Sequence, residues 1–250
     1  MSTVWVFGAT GSIGLVLCKT LLERGDKVVA FTSSDPSIMN LSHDVKDKKR
    51  LIPQECDLSS LASLDKLMKL SKDPKFAPTH LIFLARGKVP VDSLAEDELW
   101  AEMAIRDIMI SLVTPMRIIM KLISQEPTTL ETVTLVSSQY ALVAQDPNLY
   151  ANPATQVSSI YSAVRGGIIS GARSLGVLAA KKGIKVNSLV LGGIQETANK
   201  ELQSAIESRL PNGAMLSARN ACEWLLFLAS DKSNGAIGSP IVVDNGWTSI

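Results

Sequence analysis

The first fourteen residues carry the feature that most constrains the fold. Residues 4–7 form an apolar run, residues 8–14 read Gly-Ala-Thr-Gly-Ser-Ile-Gly, and an amphipathic stretch follows at once. This is the pattern of a buried strand, a tight turn and a helix. Glycines at 8, 11 and 14 let the backbone bend sharply and approach a ligand closely, and the free N–H groups of a helix start attract anions. The opening therefore predicts an anion site suited to a pyrophosphate.

Apolar runs alternate with helical patterns along the rest of the chain. Further strands are predicted at residues 27–32, 51–56, 80–84, 132–136, 184–191 and 241–243. Helices are predicted at residues 59–70, 158–178 and 217–230, and residues 92–124 hold two helical patterns or one helix bent near Pro115. The charged run 44–50 is predicted to be a solvated loop or helix face. Most strands are near-continuous apolar runs, which predicts one parallel sheet covered by helices on both faces. No repeat or break in composition divides residues 1–250, so a single domain is expected.

Composition argues against several classes of protein. The 25 Lys+Arg residues balance 24 Asp+Glu residues, which gives no electrostatic case for nucleic acid or an anionic membrane surface. The three widely spaced cysteines are typical of buried apolar positions in a reducing compartment. His43 and His80 are isolated, so no metal site is predicted. No apolar run approaches the roughly 18 residues of a membrane span, and no basic leader precedes the first strand; a cytoplasmic location is expected.

Two polar features stand where a parallel sheet binds its ligands, beyond the carboxyl ends of the strands. The fifth strand runs into Ser137-Ser138, and the helix after it carries Tyr161 and Arg165, which lie four residues apart on one face. A tyrosine exchanges protons near neutral pH only when its anion is stabilised, and a fixed cation does this. A serine hydroxyl aimed at the same point could hold a carbonyl oxygen. An exposed Tyr–Arg pair without a role is the alternative.

At this point the chain resembles, over essentially its whole length, the short-chain dehydrogenase/reductase family. The matching landmarks occur in the family's order: the glycine turn, Asp57-Leu58, Ser138, Tyr161-x-x-x-Arg165, Gly192-Gly193-Ile194 and the ending at residues 241–247. The resemblance implies a Rossmann-type, doubly wound parallel sheet of about seven strands, a nicotinamide cofactor across the strand ends, and a homodimer or homotetramer. The spacing from Ser138 to Tyr161, with Tyr150 between them, resembles a subset associated with nonulosonic-acid and surface-polysaccharide sugar synthesis.

The resemblance also implies which residues contact the cofactor. The expected cofactor-binding positions are Gly8, Gly11, Ser12, Ile13, Gly14, Thr32, Ser33, Asp57, Leu58, Ala85, Gly87, Tyr161, Arg165 and Ile194. The glycine turn would cradle the pyrophosphate, Asp57 would accept a hydrogen bond from the adenine amino group, and Ile194 would contact the carboxamide. Thr32 and Ser33 end the second strand with hydroxyls, and no carboxylate except Asp35 is near enough to repel a 2′-phosphate, so NADP is slightly favoured over NAD.

The expected catalytic residues are Ser138, Tyr161, Arg165 and Asp107, and two of them depart from the family pattern. Arg165 replaces a lysine; arginine keeps the cation but cannot pass on a proton. Asp107 aligns with a helical asparagine, so we expect a carboxylate–guanidinium pair between Asp107 and Arg165 that partly cancels the cation beside Tyr161. A surface position for Asp107 is the alternative. Residues 139–159 and 195–216 are expected to form the substrate loops.

These features predict an NAD(P)-dependent oxidoreductase that moves a hydride between the nicotinamide and a carbonyl or secondary alcohol, with a sugar as candidate substrate. The alternative is a catalytically weak or inactive nucleotide-binding subunit of a heteromer. A sugar epimerase or dehydratase comes third, since no substrate domain follows the predicted sheet.

Overall fold

The strands form a single sheet. The computed structural model describes residues 1–33, 49–88, 96–150 and 158–250. Its strands are β1 (Thr3–Phe7), β2 (Lys27–Thr32), β3 (Leu51–Glu55), β4 (His80–Phe83), β5 (Thr132–Ser138), β6 (Lys185–Leu191) and β7 (Pro240–Val243). They lie in the order β3-β2-β1-β4-β5-β6-β7, and every neighbouring pair is parallel. The seven-stranded parallel sheet predicted from the apolar runs is therefore confirmed.

Helices connect the strands and cover both faces of the sheet. Those in the described residues are α1 (Ser12–Glu23), α2 (Leu64–Lys72), α3 (Asp97–Ile108), α4 (Thr114–Ile123), α5 (Ser159–Ala180), α6 (Lys200–Glu207) and α7 (Ala218–Leu228). A π-helical segment, Met109–Val113, joins α3 to α4. The chain crosses over between β3 and β4, which lie on opposite sides of the β2–β1 pair, so the carboxyl ends of β1 and β4 flank the topological switch point where α/β sheets bind ligands.

Two apolar layers hold the sheet between its helices. On one face α1 and α7 pack through residues such as Leu17, Leu21 and Leu225. On the other face α2, α4 and α5 cover an aromatic group in which the Phe7 ring stacks on Phe31 and Phe83, with ring centroids 4.3 and 4.4 Å away. This burial on both faces is why the strands are apolar at successive positions rather than at alternating ones.

The structure refines three predicted elements. β5 extends two residues beyond the predicted end, so that Ser137 and Ser138 belong to the strand itself. The predicted helical region 92–124 contains α3, the π-helical segment and α4; Pro115 lies where the π-helical segment passes into α4, and its missing N–H removes one hydrogen bond from the continuous helical ladder. Ser217 caps α7 in a capping box rather than lying within the helix. Most of the charged run 44–50, and residues 92–95 and 151–157, lie outside the described residues.

Candidate active site

The glycine turn between β1 and α1 can exist only with glycine at two positions. Gly8 has a φ of +84°, and a Cβ there would lie 2.7 Å from the backbone nitrogen of Ala85. A Cβ on Gly14 would lie 2.3 Å from the Gly8 carbonyl oxygen. Gly11 is less constrained, since its Cβ would meet only the Gly8 oxygen at 3.6 Å. Because these glycines carry no side chain, the backbone of the turn is exposed to the cleft, and a dinucleotide pyrophosphate can approach it closely.

The start of α1 is open to an anion. Gly11 is its N-cap residue and supplies no side-chain hydrogen bond, and its first turn holds no acidic residue. The first backbone N–H groups of a helix have no partner within the helix, and they carry the positive end of its dipole. The predicted positions Ser12 and Ile13 belong to this turn and line the cleft beside it. This end of α1 therefore fits the diphosphate of a dinucleotide.

One cavity of about 420 Å³ brings the turn together with the predicted catalytic groups. It is lined by Gly8, Gly11, Ser12, Ile13, Gly14, Ser138, Tyr161, Arg165 and Ile194 among others. These residues come from β1, α1, β5, α5 and the segment after β6, and they meet because the carboxyl ends of parallel strands share one edge of the sheet. The exposed Tyr–Arg pair without a role, the alternative at the sequence level, does not fit this arrangement, since Arg165 is 4% exposed.

A second cavity of about 340 Å³ continues the cleft on the other side of the turn. Its walls include Thr32, Ser33, Asp57, Leu58 and Ala85, all expected at the adenosine half. The two cavities share wall residues, with Gly8, Gly11 and Arg86 lining both. A contiguous cleft with a narrow glycine-lined centre fits an elongated ligand that has two ends and a charged middle. The residues present therefore fit a nicotinamide dinucleotide.

Asp57 is held by a local turn at the edge of the second cavity. Its two carboxylate oxygens accept hydrogen bonds from the Ser59 backbone N–H and from the Ser59 hydroxyl, both at 2.8 Å. These bonds lower the pKa of Asp57, with a smaller contribution from the charge of Arg106. The carboxylate is thus ionised and fixed in direction, which suits a hydrogen-bond acceptor.

Ser138 is oriented by its own strand end. The Tyr140 backbone N–H donates to the Ser138 hydroxyl oxygen at 3.3 Å, and so the Ser138 proton is left to point elsewhere. The neighbouring Ser137 donates to the backbone carbonyl of Arg165 at 2.8 Å, which fastens β5 to α5. On α5, the Ser158 side chain caps the helix by accepting from the Tyr161 N–H. Strand end and helix start are therefore fixed to each other where Ser138 and Tyr161 face the cleft.

Arg165 lies against the face of the Tyr161 ring. The guanidinium carbon is 4.7 Å from the ring centroid, which is a cation–π contact between residues one helical turn apart. The cation is therefore adjacent to the phenol, as the i, i+4 spacing predicted, and the structure adds that it contacts the ring itself.

Asp107 is completely buried and faces Arg165. Its Oδ1 atom accepts from the Gly87 backbone N–H and from the Ser111 hydroxyl, both at 2.8 Å, and lies 4.0 Å from Nη2 of Arg165. The expected proximity of Asp107 and Arg165 is thereby confirmed, and the alternative surface position for Asp107 is wrong, since 0% of it is exposed. Asp107 lines neither cavity; of the side chains near its carboxylate, Arg165 is the one that lines the first cavity.

Gly87 supports Asp107 rather than the cleft. A Cβ on Gly87 would lie 2.8 Å from the Asp107 Cα, and Gly87 lines neither of the two cavities. A backbone this close to α3 requires glycine, which is a packing reason for the residue. Its expected contact with the adenosine half of a cofactor stays a prediction.

The two expected substrate segments touch each other. Leu149, from the first, forms a buried apolar cluster with Ile206, Leu210 and Met215 of the second. An ion pair also joins them, with Arg209 Nη1 2.9 Å from Asp146 Oδ2. We name this set the loop clasp. It lies beside the segment after β6, since a Cβ on Gly193, which lines the first cavity, would come 2.7 Å from the Met215 side chain.

Sequence reasoning included Gln139 and Tyr140 only as part of the expected substrate segment 139–159, and it missed Arg106. Gln139 and Tyr140 line the first cavity, and Arg106 lines the second. Burial and a hydrogen bond to the Tyr150 hydroxyl raise the pKa of Tyr140, so it remains a neutral phenol in the cleft. Ser111 was also missed, although its position four residues after Asp107 is a usable signal for contact on a helix.

The described residues were also searched for metal-binding groups and membrane-spanning helices. They contain no group of three or more His, Cys, Asp or Glu side chains placed to bind a metal ion. In the same residues, no helix combines the length and the apolar character needed to span a bilayer. Cys18, Cys56 and Cys222 are free and buried.

Comparison with known proteins identifies the class to which this site belongs. Residues 8–248 match the family model described as enoyl-(acyl carrier protein) reductase. The chain thus belongs to the short-chain dehydrogenase/reductase family of oxidoreductases, as the motifs predicted.

Individual relatives are distant. The chain is 27% identical to an uncharacterised short-chain type dehydrogenase/reductase of Sinorhizobium fredii, covering 98% of this chain but only 43% of that protein. It is 26% identical to post-translational flagellin modification protein A of Campylobacter coli, covering 98% and 97% of the two chains. It is 22% identical to a 3-oxoacyl-[acyl-carrier-protein] reductase of Rickettsia felis, with 98% and 95% covered.

Solved structures share the fold. A 4-hydroxyisoleucine dehydrogenase complexed with NADH superimposes with a TM-score of 0.81 at 22% identity, over 100% of both chains. A short-chain dehydrogenase from Leptospira borgpetersenii with bound NAD⁺ gives a TM-score of 0.83 at 20% identity, over 99% of this chain and 92% of the other. The doubly wound, Rossmann-type fold expected from the sequence is confirmed.

Proposed function

We propose that this protein transfers a hydride between a nicotinamide dinucleotide and a carbonyl or secondary alcohol carbon. One observation carries the proposal: Ser138 and Tyr161 line the same cavity as the glycine turn. When bound, the dinucleotide supplies or accepts the hydride. Ser138, with its proton directed by the Tyr140 N–H, holds the substrate oxygen, and the Tyr161 phenol gives that oxygen a proton or takes one from it.

The cation beside Tyr161 supports this role. The Arg165 guanidinium on the ring face places a positive charge directly beside the group that we propose exchanges the proton. Because arginine cannot itself pass on a proton, Tyr161 exchanges protons with the cleft rather than with residue 165. The Asp107 carboxylate, 4.0 Å from Nη2, offsets part of the cation's charge, and we propose that this slows turnover relative to relatives that have a lysine.

The test is a comparison of Tyr161→Phe with Tyr150→Phe. We expect Tyr161→Phe to lower kcat/KM by about 10²-fold or more, as loss of a general acid/base does, with a far smaller effect on the Kd for the dinucleotide. Tyr150→Phe removes a phenol hydroxyl that lies outside both cavity walls but bonds Tyr140, and so it measures how much activity is lost through indirect disturbance of the cleft. Full activity in Tyr161→Phe would contradict the proposed role.

A second function, a weak or inactive nucleotide-binding subunit of a heteromer, is favoured by one observation, the Asp107–Arg165 pair in place of a free cation. Arg165→Lys separates the two functions. A wild-type chain that turns over sugar and ketone panels supports the enzyme. If only Arg165→Lys is active, the natural chain serves as a binding subunit.

For the cofactor, we propose NADP rather than NAD. The end of β2 offers Thr32 and Ser33 to the second cavity, and the same cavity is lined by the cations Arg86 and Arg106. A 2′-phosphate would meet positive charge there. Fluorescence titration with NADPH and NADH tests this. We expect Arg86→Gln and Arg106→Gln to weaken the binding of NADPH but not that of NADH. Tighter binding of NADH by the wild type, in line with the cofactors bound to the two structural neighbours, would contradict it.

As substrate we propose a sugar. The polar groups of the first cavity near Tyr161 include Ser138, Gln139, Tyr140 and Thr197, which can bond several hydroxyls of one ligand. A panel of keto-sugars and an acetoacetyl thioester separates this class from the acyl substrates named for other relatives. Faster reduction of the thioester would refute the sugar proposal.

We also propose that residues 1–250 form one domain, and that the chain is a cytoplasmic homodimer or homotetramer. Three apolar side chains on α3 and the π-helical segment support self-association: Leu99, Ile105 and Val113 are 50, 61 and 39% exposed. Light scattering after size exclusion should report a dimer or tetramer that Ile105→Glu dissociates. A monomeric wild type would contradict the proposal.

A further inference from the structure

The π-helical segment Met109–Val113 brings a hydroxyl between two buried charges. Ser111 is 3% exposed and lies inside this segment, where the wider turn interrupts the regular α-helix. Its hydroxyl donates to Asp107 Oδ1 at 2.8 Å and accepts from Arg165 Nη2 at 3.4 Å. Nη2 and Oδ1 are themselves 4.0 Å apart, so the two charged groups make no direct hydrogen bond and are bridged by the hydroxyl. Segments of this kind often occur at functional sites.

The guanidinium of Arg165 is thereby held from two sides. Ser111 and Asp107 contact its polar edge, and the Tyr161 ring lies against it with 4.7 Å between ring centroid and guanidinium carbon. Two buried polar atoms of the pair, Asp107 Oδ2 and Arg165 Nε, have no hydrogen-bond partner. A bidentate pairing, the usual arrangement for arginine and a carboxylate, would satisfy both. The pair instead shares the Ser111 hydroxyl, which lies to one side and bonds to both Asp107 Oδ1 and Arg165 Nη2.

We propose that Ser111 is a positioning residue: its hydroxyl keeps the Arg165 guanidinium on the face of Tyr161 and prevents it from closing onto Asp107. The proposal rests on the proposed function, because it assigns Ser111 a role in placing the cation that stabilises the Tyr161 anion. Ser111 lines neither cavity, and of its two side-chain partners Arg165 is the one that lines the first cavity, so its effect on the cleft passes through Arg165.

Removing the hydroxyl should change the geometry in a defined direction. In Ser111→Ala, Nη2 loses its hydrogen bond and the guanidinium moves toward Asp107, away from the ring. Ser111→Thr keeps a hydroxyl at the same place and should preserve the arrangement. Ser111→Cys keeps the side-chain volume with only a weak donor and acceptor, and should behave like Ser111→Ala even if the alanine variant folds poorly.

The measurement follows the guanidinium directly. With ¹⁵N-labelled arginine, the Nε–H signal of Arg165, assigned by its loss in Arg165→Lys, should carry the ring-current shift of a group stacked on Tyr161. We expect that shift to collapse in Ser111→Ala and Ser111→Cys and to persist in Ser111→Thr. We also expect kcat to fall about tenfold in the alanine variant, as small misplacements of catalytic groups do, while the KM for substrate is unchanged.

An unaltered ring-current shift in Ser111→Ala, together with a lowered Tm, would overturn the proposal and leave Ser111 a structural residue. Rescue by threonine in both measurements supports it. If the wild type turns over no substrate, the proposed function fails, yet the spectroscopic comparison still decides whether Ser111 positions the guanidinium.

Discussion

Neutralising Asp107 tests the buried pair most directly. In Asp107→Asn the side chain keeps its shape and can still accept the hydrogen bonds from the Gly87 N–H and the Ser111 hydroxyl, both of which end on Oδ1. What disappears is the charge that faces Arg165, a residue that is 4% exposed. The substitution therefore isolates the electrostatic part of the interaction from its packing.

The expected cost follows from the distance and the burial. Unit charges 4.0 Å apart attract by about 4 kcal/mol at an effective dielectric constant of about 20. Removing one partner of a buried pair typically costs about 3–5 kcal/mol, because the other charge is left uncompensated. We expect the free energy of unfolding to fall by about 3 kcal/mol, which lowers the Tm of a chain of this size by about 6–12 °C.

A double-mutant cycle with Arg165→Met completes the experiment. Each single variant leaves one buried charge alone, whereas the double variant leaves none, so the double variant should be more stable than the sum of the two effects predicts. Urea unfolding followed by circular dichroism gives the free energies, and we expect a coupling energy of about 2–3 kcal/mol. Glu223→Gln is the control, since Glu223 and Arg219 form an ion pair with side chains 65 and 84% exposed, and such pairs contribute less than about 1 kcal/mol.

A change in stability within about 0.5 kcal/mol of the wild type for Asp107→Asn would refute the reasoning, because it is no larger than that of an ordinary surface substitution. A double-mutant cycle in which the effects of the two single substitutions simply add would also refute it. Either result would mean that the two groups do not carry opposite charges in the folded protein.

Three further predictions concern other parts of the molecule. Gly14→Ala should abolish dinucleotide binding in fluorescence titration, because its Cβ would lie 2.3 Å from the Gly8 oxygen; retained binding would show that the turn can rearrange. Burial lowers the pKa of His80 from 6.5 to about 4, so the unfolded chain binds the proton first and stability falls as the pH drops from 6.5 toward 4. The loss should approach about 3 kcal/mol, and His80→Gln should flatten this part of the profile; a profile unchanged in that variant would contradict the assignment. Burial raises the pKa of the thiols of Cys18 to about 12 and of Cys56 to about 11; iodoacetamide should therefore label neither in the native protein, and rapid labelling would contradict their burial.

Much of the fold was readable because local patterns and burial agree. Strands covered on both faces must be apolar at successive positions, so runs such as residues 27–32 and 80–83 can be recognised as strands from the sequence. Tyr161 and Arg165 were found from their i, i+4 spacing on a predicted helix and from the family pattern, whereas Ser138 was found for a related reason. The carboxyl ends of parallel strands meet at one edge of the sheet, so polar residues at those ends collect in one cleft whatever their separation along the chain.

Other features have no local signature. The π-helical segment differs from an α-helix by one residue in a turn, which the apolar periodicity around Pro115 does not resolve. Gly87 resembles a turn glycine in the sequence, and only its 2.8 Å approach to Asp107 shows why the position excludes a side chain. The pairing of Asp146 with Arg209 joins residues 63 positions apart and depends on how two irregular segments lie in space.

The loop clasp has a consequence for how specificity can be altered. Its apolar cluster and its ion pair each combine residues of both expected substrate segments, 139–159 and 195–216, so neither contact forms with one segment alone. Grafting only residues 139–159 from a relative would remove the ion-pair partner of Arg209, Asp146. It would also remove Leu149, which packs against Ile206 and Leu210. A change of substrate preference in this chain should therefore require that both segments be exchanged together.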